Sequence, residues 1–577
     1  MTGIIRGVAA APGVAVGPVF IVEMEKASEE GHEPAGSPSE EGDRLYAALE
    51  KAAEQLDELA RQVETKIGPE ESGIFLAQAA FASDPTLIQR AEEAIAGGLS
   101  AETGVTQAFQ TFRQQLEASS SERLAARVTD LDDVRDRVIG ILTGRPIGAT
   151  GPNVPSVVVA AELTPSETAG LPARMVLAIA TERGTETSHA AILARGLGVP
   201  SVVGAEGLLT AARTAAEMAV DGTHGEVFVD PDPETRRRLE EAAVDREKRR
   251  RELAGLRWVP GATRDGRHVE LAANIGSLSE LESASQAGAE GCGLVRTEFL
   301  FQDRTDRPSV DEQVVVYRQI LSAFPDHRVV FRTLDIGADK PLPFIPRPLE
   351  ANPALGVRGI RLGLHQPDLL NDQLRAITRA CRESPGRGAV MFPMVVRTAE
   401  IDESLAMLVA VAEEEGFDMQ RLEVGAMVET PVAALIAGRL AWRLDFVSVG
   451  TNDLLQYLFA ADRLQTELAD LPDLFEPAVL RLLSEMVTDA HAAKAWVGVC
   501  GEAAGTITGA AALVGLGCDE LSMAPSAIPE VKDALRQVTA PDLEEAVDRA
   551  MRAEGPAEAR QIMDAALPER SAVPRKQ

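Results

Sequence analysis

The sequence predicts a multidomain α/β protein: an α/β domain carrying an inserted all-helical domain, followed by a (β/α)8 TIM-like barrel. Three observations carry this expectation. Strand-like apolar runs fill residues 1–22 and return only after about residue 150. Between them, apolar residues recur at helical spacing. In the last half, apolar runs with polar residues at or just beyond their ends alternate with helical stretches, as eight βα units closing on themselves require.

The first 22 residues, with GVAAAPGVAVGPVFIV, read as short strands separated by Gly-Pro and Gly turns. A loop rich in Glu, Ser, Gly and Pro follows, from about Glu25 to Pro38. From Glu40 to about Gly144 the pattern is amphipathic helix, with Leu45, Leu49, Ala52, Leu56 and Leu59 on one face and a last helix at Asp130–Leu142. Strand signals resume at 154–160 and continue at 175–180, 199–203 and 226–229. One α/β domain is therefore expected from residues 1–22 and 145–230, with 23–144 inserted at a surface loop. Residues 231–256 read as a charge-laced linker helix. The barrel takes 257–577, with its strands read at VELAANIG, GLVRTEF, VVFRTLDIG, LGVRGIR, VMFPMVV, VGAMVETP, FVSVGTND and WVGVCGEAAG.

The formal charge of −32 over 577 residues argues against a nucleic-acid surface or an anionic membrane as partner; it suits a small basic protein, and an acidic surface also serves plain solubility. No apolar run approaches the roughly 20 residues of a membrane span, and the N-terminal stretch lacks the apolar core of a signal peptide. The four cysteines show neither zinc spacing nor a disulfide framework. A cytoplasmic protein is expected.

Two stretches carry candidate chemistry. In TSHAAILARGLGVPSVVG (187–204), hydroxyl residues precede an Ala-rich run, so His189 is expected in the first turn of a helix. Free amides and the positive dipole end make an anion site there, beside which an imidazole could accept a phosphoryl group; the plainer alternative is a histidine that packs the helix start. At the barrel mouth, Arg296, Arg332 and Arg358, joined by Arg463, make a cationic floor whose guanidinium forks match phosphate and carboxylate. Glu429 and Asp453 end adjacent strands and could hold Mg²⁺ together with a phosphorylated substrate, while Asn452 could bind a substrate oxygen. Ion pairs closing the rim are the alternative, above all for Arg358 and Asp335. Cys500 ends an apolar strand, where a thiol can serve as proton donor or nucleophile.

The chain resembles enzyme I of the bacterial sugar phosphotransferase system, the phosphoenolpyruvate–protein phosphotransferases. The resemblance runs through LTPSET (163–168), TSHAAILAR (187–195), GAEGCGLVRTEFLF (288–301), FRTLDIGADKPLPF (331–344), NPALGVRGIRLGL (352–364), MFPMV (391–395), GAMVETP (425–431), VGTNDLLQY (449–457) and CGEAAG (500–505). It implies that His189 accepts the phosphoryl group on Nε2 and that Arg296, Arg332, Asn452, Asp453 and Arg463 bind phosphoenolpyruvate. It further implies that Glu429 and Asp453 hold Mg²⁺ and that Cys500 protonates the enolate of pyruvate. Arg195, Arg358 and Lys340 are expected in support. The inserted helices would dock the phosphocarrier protein HPr, with Arg127, Asp130 and Asp133 matching part of that pattern, and the barrel would form a homodimer.

The loop before the histidine departs from the family pattern: Thr185 replaces a flexible glycine, and Glu186 brings a negative charge close to the imidazole. Among rivals, pyruvate phosphate dikinase and phosphoenolpyruvate synthase need an ATP-binding domain with a Gly-rich loop, which this sequence lacks. A non-catalytic sensor would be expected to lose Cys500, Glu429 or Asp453, and all are present.

Overall fold

The computed structural model describes residues 3–22, 33–66, 69–117, 128–144, 151–164, 167, 171–185, 188–302, 304–337, 342–345, 350–462, 465–468 and 470–568. The chain divides into two compact units, Met1–Arg250 and Arg251–Gln577.

The first unit is built on an eight-stranded mixed sheet. Its strands are β1 (Gly3–Arg6), β2 (Val8–Ala11), β3 (Val14–Val22), β4 (Ser156–Ala160), β5 (Val176–Thr181), β6 (Ser201–Val203), β7 (Glu217–Asp221) and β8 (Glu226–Val229), in the spatial order β1-β8-β7-β3-β4-β5-β6-β2. The run β3-β4-β5-β6 is parallel and the flanking pairs are antiparallel. Strands β4 and β5 bury both faces, and β4 reads SVVVA as such a strand should. Strand β7 is a finding the sequence reading did not contain.

Among the described residues, five helices lie between β3 and β4 in sequence: Pro38–Lys66, Pro69–Ala82, Pro85–Ala96, Ala101–Glu117 and Val128–Thr143. Leu45, Leu49, Ala52 and Leu56 are buried in their shared core with Leu131, Val134 and Val138, while Leu59 is partly covered. Helix starts are tied chemically. The Asp84 carboxylate accepts from the amides of Thr86 and Leu87, and Pro85 takes the first helical position. The buried Glu41 carboxylate accepts from the amides of Ala35 and Ala101, each at 2.8 Å, joining two helix starts. The charge-laced segment forms the helix Pro233–Ala254, whose exposed Arg236–Glu240 pair (2.8 Å) adds only a few tenths of a kcal/mol.

The second unit is a closed barrel of parallel strands: β9 (Glu270–Ile275), β10 (Gly291–Arg296), β11 (Arg328–Arg332), β12 (Arg387–Phe392), β13 (Glu423–Val428), β14 (Phe446–Val449), β15 (Trp496–Val499) and β16 (Glu520–Met523). β16 pairs with β9 to close it. The architecture is as expected, but two of its elements are corrected. LGVRGIR is no strand: the helix Ile360–His365 starts within it, after Gly359 at φ +57°. The eighth strand is instead β16, and FVSVGTND becomes the sixth strand rather than the seventh. The expected helix across 430–444 is broken at Ile436 into Pro431–Leu435 and Ala437–Ala441.

Gly359 is required where it stands. A Cβ there would lie 2.7 Å from the Met394 Cβ, in a backbone conformation that side chains resist. Met394 also has positive φ, and its amide donates to Glu429 Oε1 at 2.6 Å. Gly359→Ala is expected to cost about 1–3 kcal/mol of stability, read by urea denaturation. Unchanged stability would mean that this crossing relaxes freely.

Candidate active site at the barrel mouth

Adjacent strands β10 and β11 end in Arg296 and Arg332, which are register partners. Arg296 is exposed. Arg332 is almost covered and reaches Glu298 Oε1 at 3.0 Å and Asp335 Oδ2 at 3.5 Å. Burial opposes its charge, but the carboxylates of Glu298, Asp335 and Glu429 outweigh that and hold its pKa above the usual arginine value. Arg358, in the segment after β11, grips Asp335 through two nitrogens, at 3.0 and 2.6 Å, and also touches Asp453 Oδ2 at 3.4 Å. Its alternative reading as an ion-pair partner of Asp335 is thus realised, within reach of the site.

Glu429 directly follows β13 and is 1% exposed. Asn452 and Asp453 fall in the first turn of the helix Thr451–Leu458, which β14 leads into. Burial, then the like charges of Asp335 and Asp453, push the Glu429 carboxyl up to about 8 against the pull of Arg332 and Arg358. Asp335, Glu429 and Asp453 each offer an oxygen, and these oxygens lie within 4.8 Å of one another. A set of hard oxygen donors carrying excess negative charge fits a divalent cation such as Mg²⁺. The sequence reading named two of the three; Asp335 is the addition.

Cys500 directly follows β15, is 3% exposed, and donates its thiol to the Val449 carbonyl at 3.7 Å. Burial pushes the thiol up to about 11, although Ser448 and Arg332 favour the thiolate. It therefore holds its proton at neutral pH, which suits an acid better than a nucleophile. Asn452 and Glu502 exchange two hydrogen bonds of 3.1 Å, the Glu502 amide donating to Oδ1 and Nδ2 donating to the Glu502 carboxylate.

A buried bracket stands behind these groups. Gln373 accepts from the Leu334 amide at 2.8 Å and donates to Thr297 Oγ1 at 3.0 Å, and Thr297 donates to the Arg332 carbonyl at 2.8 Å. Glu298 accepts from the Asp335 amide at 2.8 Å. Glu298 went unnoticed in the sequence although it lies two residues beyond Arg296; Gln373, mid-helix, gives no local signal.

In the first unit, His189 opens the helix His189–Leu197 with Ser188 as N-cap, as expected, and the helix ends at Gly198 in the left-handed conformation. Arg195 donates to the Ala10 carbonyl at 3.0 Å, tying this helix to β2. Asp133 is buried and accepts from Gln78 at 3.1 Å, while Asp130 is half-buried. The His189 side chain, Glu186, Arg127, Lys340 and Arg463 lie outside the described residues.

Three family models match the chain in order. Residues 6–127 match the N-terminal region of PEP-utilising enzymes, 152–225 their mobile domain and 250–540 their PEP-binding domain. A phosphoenolpyruvate-protein phosphotransferase of Streptomyces coelicolor is 42% identical across 98% of this chain and 99% of its own length. The chain belongs to this family. Family members of the same name from Haloferax volcanii and Priestia megaterium are 40% and 37% identical, over 90% and 95% of this chain and 91% and 96% of their own. Within the described residues no helix is long and apolar enough to cross a membrane.

Proposed function

We propose that the chain transfers the phosphoryl group of phosphoenolpyruvate to His189 and from there to a histidine of the carrier HPr, releasing pyruvate. The observation that carries this reading is the convergence, from different strands, of Arg332, Glu429, Asp453 and Cys500 on one barrel mouth. Arg332 and Arg296, with Arg463, bind the phosphate and carboxylate of the substrate, and Asn452 holds an oxygen. Bound at Glu429 and Asp453 beside Asp335, Mg²⁺ would neutralise phosphate charge as the phosphoryl group departs.

The ester P–O bond breaks as the Nε2–P bond forms at His189. The electron pair left on the enolate takes the Cys500 proton at its methylene carbon, giving the methyl of pyruvate. That protonation favours the forward direction, because the ketone is far more stable than the enolate. Burial, by keeping the proton on the Cys500 sulfur, supports this role. Phosphohistidine then meets HPr at the inserted helices, where Arg127 and Asp130 are the proposed contacts, Asp133, buried against Gln78, supports them from within, and an acidic chain attracts a basic partner.

The reading divides the chain into a phosphohistidine domain (1–22 and 145–230), a helical HPr-binding domain (23–144), a linker (231–256) and a phosphoenolpyruvate-binding barrel (257–577) that dimerises in the cytoplasm. Arg195, Arg358 and Lys340 support the two sites. Incubation with phosphoenolpyruvate labelled in its phosphate, with Mg²⁺, should leave acid-labile, alkali-stable label on the peptide carrying His189. HPr should then remove it. Label elsewhere overturns the acceptor; label that HPr leaves in place overturns the carrier.

A further inference from the structure

The barrel interior is divided along its length. Leu294, Val330, Ala389, Met391, Met427 and Phe446 form an apolar side against which Cys500 packs. The opposite side carries oxygens. Ser448 in β14, Gly498 in β15 and Glu520 in β16 are register partners in one row across three neighbouring strands. Ser522 lies two residues beyond Glu520, and Cys500 two beyond Gly498, on the same inward faces towards the mouth. Ser522 donates to Asn274 Oδ1 at 2.7 Å, and Asn274 donates to the Cys500 carbonyl at 3.1 Å.

Glycines keep this row open. A Cβ on Gly498 would meet the Trp496 ring at 3.0 Å, Glu520 Oε1 at 3.2 Å and Ser448 Oγ at 3.3 Å, and one on Gly293 would collide with Glu520 Oε1. Glu520 Oε1 and Ser448 Oγ are buried and have no hydrogen-bond partner among the described residues. Buried oxygens facing one small polar space are what an ordered water bridges. The Ser448 hydroxyl in turn is near enough to the Cys500 thiol to act on its ionisation.

At the floor, Arg328 is shared by Glu270, Glu423 and Glu520 at 3.1–3.4 Å and lies over the Trp496 ring at 4.0 Å. Arg387 also pairs with Glu423 at 2.9 Å, so two guanidiniums face three carboxylates and one negative charge is left over. Burial, then the charge of Glu270, raises the Glu520 carboxyl above the usual carboxylate range, which favours a proton on it. Glu270, partly exposed and influenced by His268 and His327, connects the cluster to solvent.

We propose that Glu520 reloads Cys500 with a proton from beneath, through Ser448 and bridging water, so that the mouth need not open to solvent first. This rests on the reading of Cys500 as the acid. The thiol gives its proton to the enolate carbon and becomes a thiolate. The Glu520 carboxyl releases its proton along Ser448 to the sulfur and becomes a carboxylate, and solvent water at the floor returns a proton to it. Glu520 acts through Cys500 and does not touch the substrate.

The test separates first from later turnovers in the full-length protein. Pyruvate release is followed by rapid quench with excess phosphoenolpyruvate and Mg²⁺, first without an acceptor and then with excess HPr. Glu520→Gln should release its first equivalent of pyruvate at the parental rate, because the thiol is already loaded, and then run at least about tenfold slower in later turnovers. Ser448→Ala should reproduce this pattern. A purely structural role would slow the first and later turnovers alike, and that result, or parental rates throughout in both variants, overturns the proposal. Cys500→Ala with an unchanged first turnover would instead remove the acid reading itself.

Discussion

Arg332→Ala is expected to lose both substrate binding and fold stability. The side chain is 11% exposed and stands among Glu298, Asp335 and Glu429, so its removal takes the paired charge from Glu298 and the larger counter-charge from Glu429, while Asp335 keeps Arg358. Breaking a buried pair from one side costs on the order of 3–5 kcal/mol. The loss should depend on pH with a definite sign. Glu429 already ionises near 8 in the fold against an ordinary value of 4.5, so its contribution is favourable when it is protonated and is lost as pH rises through 8. Without Arg332 its folded pKa moves higher still. Parent and variant should lose stability alike up to about pH 8, and the gap between them should widen as pH rises above it. Urea denaturation across that range reads the gap. A gap independent of pH would show that Arg332 acts through packing alone. Arg332→Lys keeps a charge but not the fork; it should recover most of the stability and little of the phosphoenolpyruvate binding, measured by titration.

How far the molecule was legible follows from where each signal lies. Arg332, Glu429 and Cys500 stand out because each ends or follows a continuous apolar run (VVFR, GAMVE, WVGVC), the mark of a strand buried on both faces with its tip in a shared mouth. The same rule failed where the interior is polar. In β16, ELSM, Glu520 and Ser522 point into the barrel, so a four-residue core strand carries only two apolar residues. LGVRGIR made the opposite error. Its Leu355 and Val357 alternate like a strand, but Gly359 at φ +57° turns the chain into a helix and presents Arg358 to Asp335. Strand β7, EMAVD, is a short run between charged ends and offers as little. Asp335 was visible as a polar strand end, but nothing in the sequence places it within 4.8 Å of Glu429 and Asp453, since 94 residues separate Asp335 from Glu429. Gln373 is invisible for a different reason: its role is set by what its helix packs against, not by its neighbours in sequence.

Cys500→Ala should slow phosphoenolpyruvate-dependent phosphorylation by about 10²- to 10⁴-fold, the usual worth of a positioned general acid, while leaving substrate affinity nearly unchanged. The thiol touches the reaction only where charge appears. Burial holds its pKa near 11, so it is fully protonated in the ground state, and it carries no charge with which to attract phosphate. Its truncation also leaves the Arg332 pairs with Glu298 and Asp335 in place. Because the sulfur is fixed between β15 and the Val449 carbonyl, it delivers its proton to one face of the enolate. Phosphoenolpyruvate made stereospecifically with hydrogen isotopes at its methylene carbon should therefore give pyruvate with a chiral methyl from the parent. From Cys500→Ala, free enolpyruvate would be protonated in solution and the methyl would be racemic. A racemic methyl from the parent, or a chiral one from the variant, would move the acid to another group at the mouth. The rate and the stereochemistry together separate loss of the acid from mere disturbance of the site, since a disturbed site with its thiol intact would be slow but still stereospecific.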